Sequence, residues 1–150
     1  MYPSKHIVFG LIFSLLVYFT FPQIDTLGFF TIWLASFLID VDHYIFYVFT
    51  KKDLSLIKSH SWFMKESAKS FSLSKEDRKN FSKQIPCIFH GIETIAILFL
   101  LSFVNRFFLY VLIGFIFHEI LDFIHIVYYG YSLKHIGSQT YNLLLYFNKI

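Results

Sequence analysis

Side chains able to bind a metal ion recur within the apolar parts of this chain, and all of them are carboxylates or imidazoles. Ionisable side chains are costly inside a bilayer and normally face a bundle interior or a cavity. The set lying in or beside apolar runs is His6, Asp40, Asp42, His43, His90, Glu93, His118, Glu119, Asp122 and His125. So many such groups in so short a chain indicate a polar site rather than isolated structural hydrogen bonds.

The spacing of these residues gathers several of them onto single helix faces. His118, Asp122 and His125 stand at i, i+4 and i+7, and therefore share one face of an α-helix. Asp40 and His43 are at i, i+3, and His90, Glu93 and Thr94 form a third set of this kind. Asp42 is different, because a straight helix would point it about 160° away from Asp40. We therefore expect either a distortion of the helix there, or a role for Asp42 behind the ligands or on a neighbouring helix.

Mixed imidazole and carboxylate ligands suit zinc, with manganese or iron as alternatives. The single Cys87 excludes a thiolate site. Alternatives exist for individual residues: His118 and Asp122 can form a plain buried hydrogen bond, and His6 can be an interfacial side chain. His125 is expected to support the site, and His60 and His135 to lie in solvated loops. The predicted metal ligands are Asp40, His43, His90, His118, Asp122 and His6.

The elements that carry these residues are apolar enough to lie in a membrane. The chain has 150 residues, of which 56% are hydrophobic and only 15% are charged. Each long apolar segment has about 19 to 23 residues, which matches a hydrocarbon core of about 30 Å. The expected spans are 3–21, 27–49, 86–104 and 107–129. The sequence thus predicts a single all-α domain over 1–150, a polytopic bundle of four transmembrane helices.

The basic residues indicate how this bundle is oriented. Of 13 Lys and Arg residues, all but Arg106 fall at the very start of the first span, in the loop 50–85 or in the tail 130–150. The positive-inside rule makes that side cytoplasmic, so we expect a multi-pass protein of the inner or plasma membrane with both termini in the cytoplasm. Counted from the basic side, candidates from all four segments lie at similar depths of about 5 to 11 Å. One layer in the cytoplasmic half of the bundle would therefore hold the metal site.

The loop 50–85 is expected to be partly helical. Its apolar residues Leu54, Ile57, Trp62, Phe63 and Phe71 suit an interfacial helix, and a second short helix is expected to begin at an N-cap at Ser74. Such a loop would cover the site and bind anionic lipid, or would be a connector that sets topology. The tail would lie along the interface or pack on the bundle. Nucleic acid is not an expected partner, since the lysines follow no known binding motif.

Four segments together resemble the YdjM-type membrane-bound metal-dependent hydrolases. Residues 38–43, Leu-Ile-Asp-Val-Asp-His, resemble that family's LPDxDH motif, and 89–93 resemble the second half of HRGxTHS. Residues 114–122 are similar to the GxxxHxxxD helix, and His6 matches an early histidine. The resemblance covers 6–125 and implies a metal site formed by Asp40, Asp42, His43, His90, His118 and Asp122, with His6 nearby. The chain departs from the motifs at several positions: Ile39 replaces a proline, Ile85 a histidine and Gly91 a serine, and the arginine of HRGxTHS is missing, though Lys83 is close.

Two functions are compatible with such a site. The first is a metal-dependent hydrolase in which Glu93 or Asp42 is the general base and the substrate is a phosphoester or a lipid-derived ester. The second is a non-enzymatic membrane protein whose metal ion is structural or transported. Few polar residues continue the site toward the opposite face, chiefly Ser14 and Ser102, which argues against a transport path. A scaffold that binds a partner through the basic loop is a third alternative.

Overall fold

The computed structural model describes residues 3–80, 88–131 and 137–147. Within these ranges the chain is all-α and contains no strand, as predicted. The helices are α1 Pro3–Thr20, α2 Thr26–Leu38, α3 Val41–Lys51, α4 Leu56–Phe71, α5 Lys75–Asn80, α6 Ile92–Ser102, α7 Arg106–Tyr129 and α8 Gln139–Phe147.

Three helical stretches are long and apolar enough to cross a membrane: Pro3–Thr20, Thr26–Lys51 and Arg106–Tyr129. Large apolar side chains cover their outer surfaces, as expected for contact with lipid. The length and composition of these helices are therefore those of membrane-spanning segments.

The expected fourth span, 86–104, is not found at that length in the part of the chain described. Helix α6 begins at Ile92 and has 11 residues, too few to cross a bilayer alone. The reason lies in the backbone at Gly91 and Ile92. Gly91 has extended backbone angles, and the Ile92 N–H donates to the carbonyl of Gly137 instead of continuing a helix backwards. His90 thus lies in a bend before α6, and residues 81–87 are outside the described ranges.

Helix α7 is the centre of the bundle and packs against α1, α2 and α6. Small residues allow the closest approach. A Cβ on Gly114 would lie 2.5 Å from the carbonyl oxygen of Ile32 and 2.7 Å from the Cβ of Ala35. Close contact through small residues is the usual way in which helices associate in membranes. The α2–α7 contact therefore requires glycine at position 114.

The second span is interrupted where the two aspartates occur. Helix α2 ends at Leu38 and α3 begins at Val41, and the amide of Asp42 bonds the carbonyl of Ile39 while that of His43 bonds Asp40. These i to i+3 bonds tighten the backbone relative to an α-helix. The predicted distortion is confirmed, and it changes the directions in which Asp40 and Asp42 point.

The lysine-rich connection is partly helical, as expected. Helix α4 begins at the N-cap Ser55, and Ser74 caps α5 by accepting the amide N–H of Asp77 at 3.1 Å. Arg78 ties these helices to the end of α7, since its guanidinium donates to the carbonyls of Ser70, Phe71 and Tyr129. The C-terminal end of α4 is thereby fixed to the end of α7.

Candidate metal centre

The polar residues of four separate segments converge on one cluster. His90 Nε2 lies 3.1 Å from His118 Nε2, and Asp40 Oδ1 lies 3.3 Å from the first and 3.6 Å from the second. On the next turn of α7, Asp122 Oδ2 lies 3.5 Å from His118 Nε2. Asp40, His90 and His118 thus bring three atoms that can ligate a metal close together, and Asp122 adds a fourth beside His118. The described structure contains three overlapping His/Asp groups that could hold an ion.

The separations fit a tetrahedral ion. Ligand nitrogen and oxygen atoms about 2.0 to 2.1 Å from zinc, at tetrahedral angles, lie about 3.3 to 3.5 Å from one another. The measured separations among Asp40, His90 and His118 run from 3.1 to 3.6 Å. The cluster could thus hold an ion with little movement of its side chains.

Hydrogen bonds determine which histidine nitrogens are available to a metal ion. His118 Nδ1 lies 2.8 Å from the carbonyl oxygen of Ser36, and because a carbonyl only accepts, Nδ1 carries the proton. His90 Nδ1 lies 2.9 Å from Asp42 Oδ2 and donates to that carboxylate in the same way. In the neutral imidazoles the two Nε2 atoms then face each other with lone pairs and cannot bond. A shared cation, either a metal ion or the second proton of a charged His90, removes this repulsion. Outer partners of this type are typical of metal-bound histidines.

His6 and Asp122 complete the inner side of the cluster. His6 is fully buried, its Nε2 lies 3.1 Å from Asp122 Oδ1, and its ring stacks on His118 with centroids 3.9 Å apart. His6 Nδ1 and Asp40 Oδ2 are buried atoms for which the structure shows no hydrogen-bond partner. Unpartnered buried polar atoms are rare and costly. Their position beside the cluster is consistent with a bound cation.

Asp42 lies behind the cluster rather than in it. Its Oδ1 accepts from His43 Nδ1 at 2.9 Å, and its Oδ2 accepts from His90 Nδ1 and from the Phe89 amide N–H at 3.1 Å. Both oxygens of this buried carboxylate are therefore engaged. The geometry supports the alternative in which Asp42 orients ligands, and gives no support to Asp42 as general base.

His43 is close to the cluster but turned toward its edge. Its Nδ1 lies 3.6 Å from Asp40 Oδ1, and its ring meets that of His90 edge to face at 5.1 Å. With Asp42 and His90 it forms one of the three groups that could hold an ion. Its role as a ligand stays a prediction.

Glu93 is engaged elsewhere. Its carboxylate accepts from the hydroxyl of Ser138 and from the amides of Gln139 at 3.0 Å and Thr140 at 3.2 Å, and so caps the start of α8. The Gln139 side chain in turn donates to the carbonyl of His90. Glu93 belongs to none of the three groups that the described residues form. We therefore see it as a link between α8 and the segment carrying His90, and its role as base remains an untested prediction.

The remaining polar candidates lie around this centre. His125 packs against the rings of Phe71, Tyr129 and Tyr131, and is in none of the three groups. Glu119 has a buried Oε1 without a hydrogen-bond partner in the described structure. Neither was predicted to be a ligand, and neither belongs to the three groups that the described residues form.

A cavity of about 430 Å³ opens beside the cluster and was not anticipated as a feature. Asp40, His43 and Asp122 line one side. The opposite wall is one face of α4, formed by Leu56, Ser59, His60, Phe63, Met64 and Ser67. His60 was expected in a solvated loop but lies on helix α4. Its side chain is exposed and lines this cavity. The cavity-lining residues of α4 recur every three or four positions along 56–67, and this helical spacing was the sequence signal for this wall of the cavity.

No protein-family model, curated protein or solved structure matches this chain. The resemblance to the YdjM-type hydrolases therefore depends on the motif residues themselves. Their positions around His118 are the structural basis for the functional proposal that follows.

Proposed function

We propose that the chain is a membrane-bound metal-dependent hydrolase of the YdjM type, holding one divalent ion through Asp40, His90, His118 and Asp122. The observation that carries this proposal is the 3.1 Å approach of the two Nε2 atoms, whose partner nitrogens are both engaged as donors. Zinc suits these four nitrogen and oxygen atoms best, with manganese or iron as alternatives.

One ion is favoured over two by the same contacts. The three groups overlap at His118 and His90. Because Nδ1 of each ring is engaged with Ser36 or Asp42, each offers only Nε2 to a metal. We assign His6 to holding Asp122 and supporting the His118 ring, and His43 to the edge of the site.

A bound divalent ion would lower the pKa of a water molecule and polarise the ester bond to be hydrolysed. Within the chain, we assign the acceptance of the water proton to Asp40, whose Oδ2 is the cluster carboxylate atom without a partner in the described structure. The cavity provides room for the substrate next to that atom. Asp42 keeps His90 in the tautomer that leaves Nε2 free of its proton.

The lysine-rich end of the bundle, where α4 crosses, is proposed to be cytoplasmic, because the positive-inside rule places basic residues there. The site would then act on molecules that reach it from the cytoplasm or from the inner leaflet. Membrane lipids are its expected surroundings. The bond hydrolysed is proposed to be a phosphoester or a carboxylic ester.

The test compares metal content and turnover in purified protein. We expect about one equivalent of metal in the wild type, and loss of that metal in His118→Ala and Asp122→Ala variants. His125→Ala is the matched control, since it removes an imidazole from the same helix outside the cluster. Esters and phosphoesters are then screened with zinc or manganese added.

Two outcomes would contradict the proposal. Metal content that is unchanged in the His118 variant would refute the ligand assignment. Metal bound as expected, with no turnover of any ester by folded protein, would favour the structural or transported metal instead. Metal-dependent flux in liposomes would separate those last two functions.

A further inference from the structure

The cavity beside the cluster has the size of a ligand site. Its volume of about 430 Å³ lies within the range of roughly 300 to 1,000 Å³ that is usual for small-molecule pockets. It is bounded by two of the proposed metal ligands, Asp40 and Asp122, and by the helix α4. A molecule in the cavity would therefore contact both the reactive centre and the covering helix.

The two sides of the cavity differ in polarity. Carboxylates and an imidazole line the side toward the cluster, whereas Leu56, Phe63 and Met64 form much of the α4 side. In the described part of the chain, no Lys or Arg lines the cavity. A small free anion would meet two carboxylates and no side-chain cation besides imidazole. A molecule with a polar end and an apolar end fits these walls better.

The rim of the cavity continues into an exposed apolar surface. Leu56 lines the cavity and is 67% exposed, and its neighbours Leu54 and Ile57 are 75% and 84% exposed. Phe49, near the end of the second span, is 79% exposed. Exposed apolar residues at the end of a membrane span normally insert into the bilayer interface. The apolar side of the cavity is thus open to the lipid.

We propose that this cavity binds the substrate and that the substrate is an amphiphile, an ester of a single long apolar chain taken from the adjacent leaflet. This inference rests on the proposed hydrolase only in calling the bound molecule a substrate. The ester lies at Asp40 and Asp122, and the chain lies along Phe63 and Met64 and leaves over Leu56 into the bilayer. Helix α4 is therefore the element that selects the chain.

The test measures binding without turnover. Protein in phosphatidylcholine vesicles is exposed to a monoacylglycerol with a photoreactive diazirine in its acyl chain, and the labelled residues are mapped by mass spectrometry. We expect labelling on the face of α4 that carries Phe63 and Met64. Ser67→Phe, which puts a ring into the cavity, should lower that labelling about tenfold, the effect of excluding roughly two methylene groups from apolar contact. Ala68→Phe is the matched control, because Ala68 is exposed and does not line the cavity.

A second pair of variants keeps the test decisive if Ser67→Phe fails to fold. Met64→Ala should lower labelling several-fold by removing apolar contact, whereas Lys65→Ala, on an exposed neighbour, should not. Unlabelled monoacylglycerol should compete, and glycerol monoacetate should not. Equal labelling in each variant and its control, or equal competition by the acetate ester, would overturn the proposal.

The results also separate this proposal from the hydrolase. Specific labelling in protein that holds no metal ion would contradict the hydrolase and leave the amphiphile site standing. Metal-dependent hydrolysis with labelling spread evenly over all lipid-facing residues would contradict the amphiphile site alone.

Discussion

Replacing Asp42 by asparagine tests whether a buried carboxylate orients the metal ligands. The carboxylate accepts three N–H groups, from His43 and His90 at 2.9 Å and from the Phe89 amide at 3.1 Å. Asparagine keeps one oxygen and replaces the other with a donor. The backbone N–H of Phe89 cannot change its role, so the remaining oxygen must face it, and the new NH₂ group must face His43.

Asp42→Asn therefore keeps the contact to His90 but turns a charge-assisted hydrogen bond into a neutral one of roughly half the strength. Loss of an outer partner of a metal-bound histidine typically lowers metal affinity about 10-fold to 100-fold. We expect a loss in this range, equal to about 1.4 to 2.8 kcal/mol. The measurement is competition for zinc with a chromophoric chelator in detergent.

Asp25→Asn is the control for this experiment. Asp25 caps α2 by accepting the Gly28 N–H at 2.7 Å, and asparagine is an equally good N-cap, so neither folding nor zinc affinity should change. Zinc affinity of the Asp42→Asn variant within twofold of the wild type would refute the orienting role. Loss of turnover with full zinc affinity would instead restore Asp42 as a candidate general base.

Three further predictions concern the elements around the centre. Gly114→Ala should destabilise the bundle by about 1 to 3 kcal/mol through overpacking, as measured by thermal unfolding. It should also weaken zinc binding by His118, as measured by chelator competition. An unchanged melting temperature would contradict the close contact between α2 and α7. Glu93→Ala should speed hydrogen exchange in α8 and lower zinc affinity several-fold through His90, and Glu93→Gln should have an intermediate effect. Abolished turnover with α8 fully protected from exchange would indicate that Glu93 is a general base instead. The amide of Ser55 and the ammonium of Lys58 hold the pKa of Asp53 below its ordinary value. The Asp53 carboxylate should therefore stabilise the α3–α4 corner fully above about pH 4, and this stabilisation should be lost as the pH falls through the depressed pKa. Protection factors at 53–59, which correct for the pH dependence of intrinsic exchange, should be lower below about pH 4 than at neutral pH in the wild type, and should be equal at the two pH values in Asp53→Asn.

Sequence spacing located the centre where it depends on one continuous helix. His118 and Asp122 lie on α7 without a break, so the i, i+4 relation placed their side chains together, and the structure gives 3.5 Å between them. The convergence of candidates from different segments is also found, because α1 and α7 are long helices whose rise per residue is fixed. Their depth in the membrane stays a prediction. His6, Asp40, His90 and Asp122 accordingly all approach His118.

Spacing failed where the backbone is not helical. His90, Glu93 and Thr94 were expected to share a helix face, which is wrong because α6 begins only at Ile92. The bend depends on a hydrogen bond from Ile92 to Gly137, a contact between segments far apart in the chain. Likewise, the partners of Glu93 come from α8, and no local pattern specifies them. Tertiary hydrogen bonds of this type are not encoded by periodicity.

The motif residues can be explained by what each contact requires. Gly114 allows α7 to approach α2 so closely that the carbonyl of Ser36 reaches His118 Nδ1, one turn along from the glycine. The break after Leu38 lets Asp40 face the cluster while Asp42 lies behind it, so in the proposed site two aspartates two residues apart would serve one ion in different ways. Because the residues of the site come from segments separated by up to 116 residues, no local part of the chain can form the site. Metal affinity therefore reports on assembly of the whole bundle, and a saturating metal ion should raise its stability in proportion to that affinity.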